Sequence, residues 1–307
     1  MRPGVRAALL AAVLGAGACG APRGATSASG VVKLEDLPPR HRAVWEDWQR
    51  GGGRWELERE HVRDDPELAA FLVDNLVRTL VRSYDRSMLA TAGQKSGPFE
   101  RAASELVEFA PVSTPLLVEL VGVRDGVVAF LAADVLARIG ARAAEPVARL
   151  LDDRVPETRR RAAVLLARLP HAGPAEIAIQ EALARRVKDD PEWIARAEAA
   201  RALGARGARH DHKGFALGVL VRALGDADGE VVRSACAGLA ALGERRAVPA
   251  LARALQPAAQ RGDVKALSAV QGALRSLTGV QPSMTPEQWL RWYDDHPPPP
   301  VKPLEPR

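Results

Sequence analysis

The sequence is poor in the residues that build β-sheets and in those that build disulfide frameworks. Aromatic residues make up only 4% of the 307 positions. No sustained run of β-branched and aromatic residues indicates a strand. The two cysteines, Cys19 and Cys236, are too few for a disulfide framework. Alanine, leucine and arginine, which favour helices, are abundant instead, so the composition predicts an all-α fold.

The sequence also lacks a strong charge of one sign and a recognisable catalytic motif. The 43 basic residues are interleaved with 38 acidic ones, and the formal net charge is only +5. Such a balance does not demand a polyanionic partner. No metalloprotease helix motif, phosphate-binding glycine loop, dinucleotide fingerprint or serine nucleophile elbow is present. We therefore predict no catalytic residue, no cofactor, no resident metal and no small-molecule substrate.

The first residues are typical of an export signal, which we place at 1–18. Two arginines precede an uncharged stretch at 7–16 that is too short to span a bilayer. Small residues then precede Cys19, as in a bacterial lipobox, where the cysteine becomes acylated. The same residues also fit an ordinary cleavage site of the A-x-A type. We expect an exported, lipid-anchored protein of the cell envelope, with a soluble periplasmic or secreted protein as the alternative.

The segment between the signal and the first repeats divides into a tether and a helical region. Residues 19–33 are rich in Gly, Ala and Ser, which predicts a flexible linker. Residues 34–124 are expected to form a helical cap, because a terminal repeat would otherwise expose its apolar face. The helices expected in this cap begin at or near Pro39, Pro66, Pro98 and Pro115. A loop is expected from Thr91 to Gly97.

Residues 125–279 repeat one unit several times. Each unit has an acidic turn, an alanine-rich first helix, a bend and a leucine-rich second helix. The bends at Gly140, Pro170, Gly207, Gly243 and Gly279 follow at intervals of 30, 37, 36 and 36 residues. The second helices are expected to begin at Pro146, Pro174, Phe215 and Val248. A period of this length predicts a solenoid of stacked helix pairs.

The best-formed unit runs from Asp228 to Gly243 and continues with Ala247-Val248-Pro249-Ala250-Leu251. It resembles HEAT repeats in their short, phycobilisome-lyase-like form, as found in exported bacterial proteins. The resemblance implies an α-solenoid, a superhelix of HEAT-like helix pairs. It also implies a ladder of ion pairs between adjacent repeats, for which Asp189, Asp226, Arg160, Arg196 and Arg233 hold matching places. Contact with a ligand is the alternative role for these charges.

The chain is expected to close with a short helix and a tail. Thr285-Pro286-Glu287-Gln288 forms a capping-box sequence that opens a helix carrying Trp289 and Trp292. We interpret residues 280–296 as a C-terminal capping helix, with an aromatic recognition patch as the alternative. Residues 297–307 are rich in proline and are expected to be disordered.

Three further groups of residues are candidates for a site. His210-Asp211-His212 offers two imidazoles and a carboxylate to a metal, but a solvated turn is the preferred interpretation, because three neighbouring ligands in a loop lack a distant fourth. Basic residues concentrate between Arg154 and Lys188, where they suit an anionic envelope component or an acidic protein. Cys236 is expected to be a small core residue.

These observations favour a non-enzymatic HEAT-repeat scaffold that binds another protein along the inner face of the solenoid. The partner itself is not identified by the sequence. Membrane contact is expected only through a lipid anchor on Cys19, and no nucleic-acid partner is expected. Two alternatives stay open: an enzyme or enzyme subunit of the phycobilin-lyase-like HEAT class, and a nucleic-acid-binding HEAT protein.

Overall fold

The structure, a computed structural model of the chain, describes five stretches of the sequence: 38–51, 64–84, 97–209, 213–281 and 284–298. In these stretches every regular element is a helix. The predicted all-α fold is therefore confirmed. The chain divides into two compact units between Ile139 and Gly140, and each is described by itself. None of the described helices is both long and apolar enough to cross a membrane.

The first unit contains five described α-helices. They are α1 (Pro39–Arg50), α2 (Pro66–Arg82), α3 (Gly97–Glu108), α4 (Ala110–Val121) and α5 (Gly126–Ile139). The helix predicted to begin at Pro115 begins at Ala110 instead, and Pro115 lies inside it. Residues 85–96, which include most of the loop expected at 91–97, lie outside the described residues; Gly97 already belongs to α3.

Aromatic and leucine side chains form the core of the first unit. Trp45 and Trp48 of α1 stack with ring centroids 5.0 Å apart, and Phe71 of α2 meets Trp45 edge-on. The guanidinium of Arg101 lies 4.8 Å from the centroid of Trp48. The helix α1 ends at a glycine, since Gly51 takes the left-handed conformation that suits a helix C-terminus.

The second unit contains nine described α-helices. They are α6 (Ala141–Ala148), α7 (Pro156–Arg168), α8 (Glu176–Asp189), α9 (Trp193–Gly207), α10 (Gly214–Ala223), α11 (Gly229–Leu242), α12 (Val248–Gln260), α13 (Val264–Thr278) and α14 (Pro286–Asp295). Short 3-10 turns follow α6 and precede α8 and α12. The chain thus alternates between first helices (α7, α9, α11, α13) and second helices (α6, α8, α10, α12, α14).

The first helices of the second unit pack side by side in chain order, and each also packs on the second helix that precedes it in the chain. The seam between α9 and α11 is the tightest point of this stack. A β-carbon added to Gly204 would overlap the Cα of Gly238 and lie 2.7 Å from its carbonyl oxygen. Two glycines therefore let the backbones of consecutive first helices touch.

Two predicted landmarks of the repeat are wrong in detail. Gly207 is the last residue of α9, and the bend begins after it, at Ala208. A β-carbon at Gly207 would be 2.8 Å from Ala216 Cβ and from Leu242 Cδ2, so close packing explains this glycine. The helix expected from Pro146 begins at Ala141, directly after Gly140. The positive φ of 77° at Gly140 turns the chain without a longer loop, and this leaves Pro146 inside α6.

Candidate interaction surface

One edge of the second unit is held by arginines that bind the next repeat's acidic turn. Arg159 of α7 donates two hydrogen bonds of 2.7 Å to the carboxylate of Asp190, and its remaining nitrogen donates to the carbonyls of Asp153 and Arg154. Arg196 of α9 repeats the arrangement with Asp226, at 2.9 and 3.0 Å. Each arginine thereby joins two consecutive turns, which is the ladder that the family resemblance implied.

The ladder is confirmed in kind, but two of its five predicted members are wrong. Asp190 and Arg159 occupy the places assigned to Asp189 and Arg160. Arg160 instead binds Glu157 on its own helix, and Asp189 is an exposed neighbour of Lys188. In each case two like residues stand side by side in the sequence, and only one of the pair faces the adjacent repeat. To choose the residue that faces the adjacent repeat, one must know how the helix is rotated about its own axis, and the repeat pattern alone does not determine this.

The third rung of the ladder is looser than the other two. Arg233 lies 3.9 Å from Asp263, and both side chains are more than a quarter exposed. Arg233 also binds Glu230 within α11. By contrast, Arg159 and Asp190 are 7% and 0% exposed. Ion pairing between repeats therefore weakens from α7 toward α13.

Burial alone would raise the pKa of Asp190. The hydrogen bonds donated by Arg159 and the Glu192 amide outweigh that effect and lower the pKa below its ordinary 3.8. The pKa of Asp226 is lowered for the same reasons, through Arg196 and the Asp228 amide. Both aspartates are thus held in the charged form that the ladder needs.

A second arginine cluster, which the sequence analysis missed, lies at the opposite end of the first helices. Arg206 of α9 and Glu176 of α8 are each 1% exposed and form a bidentate ion pair. Arg206 also donates to the carbonyls of Leu166 and Leu169 at the end of α7. Desolvation opposes the charge on Glu176, but hydrogen bonds from Arg206 and the Ala172 amide lower its pKa below 4.5. This cluster clamps three consecutive helices together.

The basic concentration predicted between Arg154 and Lys188 is not a single surface. Arg159 is buried in the ladder, and Arg160 and Arg161 both bind Glu157. Other members, in contrast, face solvent, and Arg185 is one of them. Half of the eight basic residues therefore bind acidic residues of the fold, and the other half are exposed.

An open groove lies between the second helices α8 and α10. It has a volume of about 550 Å³, and its walls combine apolar and charged side chains. Its lining includes Glu181, Arg185, Lys188, Phe215, Val219 and Arg222. Phe215 is 48% exposed even though it is a large aromatic residue. Exposed apolar groups beside charges are the usual composition of a protein-binding surface, so this groove is the candidate interaction surface.

The remaining predicted sites fall into two groups. Cys236 is buried, as predicted, and burial raises the pKa of its thiol to about 12, so the thiolate is disfavoured. His210-Asp211-His212 and Cys19 lie outside the described residues, as do residues 299–307 of the tail. No group of three or more His, Cys, Asp or Glu side chains elsewhere in the described stretches is placed to hold a metal ion.

The C-terminal helix α14 contributes its first tryptophan to the core. The predicted capping box is present, with Thr285 and Gln288 bonding reciprocally. Trp289 is fully buried, and α14 packs on α12 as the second helix of a last repeat. Trp292 stacks on His296 at 4.7 Å and on the guanidinium of Arg245 at 5.1 Å. The first tryptophan of α14 thus belongs to the core, and the role of this helix as a cap stays a prediction.

Stacked helix pairs of this kind define the class of α-solenoid proteins. Within the second unit, residues 179–271 match the family model described as HEAT repeats, which spans less than a third of the chain. Residues 179–271 are thus HEAT repeats, as the sequence resemblance predicted.

Solved structures of repeat proteins are also similar to this chain. A designed armadillo repeat protein is 23% identical, with a TM-score of 0.42, over 66% of this chain and 99% of its own. An engineered protein from a structural genomics consortium is 23% identical, with a TM-score of 0.41, over 67% of this chain and 96% of its own. No curated protein gives a significant match.

Proposed function

We propose that this chain is a non-enzymatic scaffold that binds another protein through the groove between α8 and α10. HEAT and armadillo repeats form a scaffold fold suited to protein interaction. The observation that carries the proposal is a difference in burial among the arginines, together with an exposed aromatic residue beside the exposed arginines. Arg159 and Arg206 are buried in the fold, whereas Arg185, Arg222 and Phe215 stand exposed around one groove.

The proposed binding would use the apolar and charged sides of the groove together. Phe215 offers an aromatic anchor, and aromatic residues and arginine are enriched where protein interfaces gain most of their energy. The arginines around it would orient a partner and accelerate its association. Binding through these side chains would not require the scaffold to change its fold.

The proposed location is the bacterial cell envelope, with a lipid anchor on Cys19. The support is the sequence at 1–18, which has the charge, apolar stretch and small residues of an export signal. The Gly- and Ser-rich residues that follow Cys19 would act as a tether between the anchor and the helical units. A soluble periplasmic or secreted protein is the alternative outcome.

The binding proposal is tested by site-specific crosslinking in intact cells. A photoreactive phenylalanine analogue at position 215 should yield a discrete crosslinked species. The matched control is the same analogue at Val264, which is 74% exposed but belongs to a first helix. A species of equal yield at both positions, or none at position 215, would refute the proposed groove.

The location is tested separately by fractionating cells that carry the natural chain or Cys19→Ser. The natural chain should partition with membranes and incorporate a labelled fatty acid, and Cys19→Ser should do neither. Natural chain recovered in the cytoplasm would overturn the export proposal. Natural chain in the soluble periplasmic fraction would overturn only the anchor.

A further inference from the structure

A five-residue pattern occurs once in each of the five second helices or the turn that ends it. It consists of an apolar residue, any residue, arginine, any residue and a second apolar or aromatic residue. The five segments are 147–151, 183–187, 220–224, 251–255 and 289–293. Their first residues, Val147, Leu183, Leu220, Leu251 and Trp289, are all 0% exposed. The same helix face therefore points into the core each time, and the pattern fixes a common register.

The common register places one exposed arginine on each of four second helices and one in the 3-10 turn that follows α6. These residues are Arg149, Arg185, Arg222, Arg253 and Arg291, and all five side chains are exposed. We call them the arginine row. Arg185 and Arg222 of this row line the groove, so the row extends the candidate surface along the second unit. The core does not require arginine at an exposed position, where substitutions usually change stability little.

The positive charge of the row is greatest at its centre. One helical turn before Arg149, Arg185 and Arg291 stand Glu145, Glu181 and Glu287. The equivalent residues before Arg222 and Arg253 are Gly218 and Pro249, which carry no charge. Of the acidic residues lining the groove, Asp226 is committed to Arg196 in the ladder, whereas Glu181 and Asp189 face solvent. Arg222 and Arg253 thus form the part of the row that is least neutralised within the chain.

The spacing of packed helices suggests what such a row would bind. The second helices α6 and α8, α8 and α10, and α12 and α14 pack on each other. Packed helices lie about 8–10 Å apart, and an extended chain advances about 3.3 Å per residue. Carboxylates at every third residue of an extended segment would therefore meet arginines on packed second helices, such as Arg185 and Arg222. We infer that the arginine row binds an extended acidic segment of the partner protein, with Phe215 contacting an apolar residue between the carboxylates. This inference rests on the proposed function and names the chemistry of the partner.

The test uses a short, fluorescently labelled peptide with glutamate at every third position and one central leucine. Binding to the purified full chain is followed by fluorescence anisotropy at two salt concentrations. The double variant Arg222→Glu/Arg253→Glu should weaken binding by about tenfold or more, because each exposed ion pair contributes up to about 1 kcal/mol and reversal adds repulsion. A peptide with glutamine in place of glutamate should bind no better than this variant.

The matched control is Arg154→Glu/Arg275→Glu, which changes the net charge equally. Arg154 lies in the turn before α7 and Arg275 on the first helix α13, and both are exposed. This variant should bind the acidic peptide within about twofold of the natural chain, since general electrostatic attraction is screened beyond about 10 Å. Thermal melts of both double variants verify that a change in peptide binding does not come from unfolding.

Three results would overturn the arginine row as an acidic-peptide site. The first is failure of the peptide to bind the natural chain. The second is an equal loss of peptide binding in both double variants. The third is tighter binding by a single-stranded oligonucleotide that competes with the peptide for the row. Crosslinking from position 215 separates this inference from the proposed function. A partner still captured in cells by Arg222→Glu/Arg253→Glu would leave the scaffold in place and remove only the acidic-segment chemistry.

Discussion

The second unit contains two sets of arginines whose surroundings differ sharply. Arg159 and Arg206 lie at the two ends of the first helices, where their guanidinium groups are buried and bind carboxylates and backbone carbonyls together. The arginine row lies on the second helices, in water. The role of a repeated arginine in a solenoid can therefore be assigned only when its helix and its burial are known.

The largest expected effect comes from the most buried arginine. Arg206→Ala leaves the carboxylate of Glu176 buried without its main partner, so the free energy of unfolding should fall by about 3–5 kcal/mol. Arg222→Ala, on the exposed set, should change it by no more than about 0.5 kcal/mol. Chemical denaturation of both variants measures the difference. Equal losses would remove the distinction between the two sets.

The pH dependence sharpens this first comparison. Because the pKa of Glu176 is lowered in the folded chain, its contribution to stability is present above about pH 4.5 and is lost as the pH falls through the folded value. The stability gap between the natural chain and Arg206→Ala should therefore be widest near neutral pH and narrow in acid. A gap that widens in acid would contradict the assigned charge on Glu176.

Within the ladder, the buried pair at one end and the exposed pair at the other should differ in their contribution to stability. Arg159→Ala should lower the free energy of unfolding by about 3 kcal/mol, because Asp190 is fully buried. Arg233→Ala should lower it by less than about 1 kcal/mol, because its pair with Asp263 is longer and more exposed. Denaturant titration of the two variants measures the ratio. Similar losses would show that the rungs are equivalent despite their geometry.

A smaller loss of stability is expected from a change where the backbones of α9 and α11 touch. Gly204→Ala forces α9 and α11 apart and should lower the free energy of unfolding by about 1–3 kcal/mol. Gly272→Ala is the matched control, since Gly272 is also inside a helix but has open space around it. That change should stabilise the chain by up to about 1 kcal/mol. The sign of the thermal shift for each variant checks the prediction.

Much of the fold could be predicted because it follows from local signals. Proline and acidic turns located most helix starts, and the repeat interval predicted the solenoid. The two wrong helix starts share one cause. Pro146 and Pro115 were interpreted as boundaries from the usual preference of proline, although both lie inside helices.

The candidate site was less predictable, because it depends on helix rotation. The sequence identified an Asp–Arg ladder but chose Arg160 where Arg159 faces the next repeat. It missed Arg206 and Glu176, which lie far apart in sequence and reveal their pairing only when α8 and α9 are packed. The arginine row did leave a signal, since an arginine follows each core apolar residue by two positions.

The smallest predicted loss of stability comes from a change at the exposed start of α14, where, unlike at the buried ion pairs, water can replace a lost hydrogen bond. Thr285 accepts a hydrogen bond from the Gln288 amide, and the Gln288 side chain bonds back to the Thr285 amide. Thr285→Ala removes one half of this box and should lower the free energy of unfolding by about 1 kcal/mol, because the freed amide can still bond to water. Thr285→Ser keeps the hydroxyl and should cost much less. A loss as large as that of Arg206→Ala would mean that α14 holds the last repeat together through its cap instead of through buried Trp289.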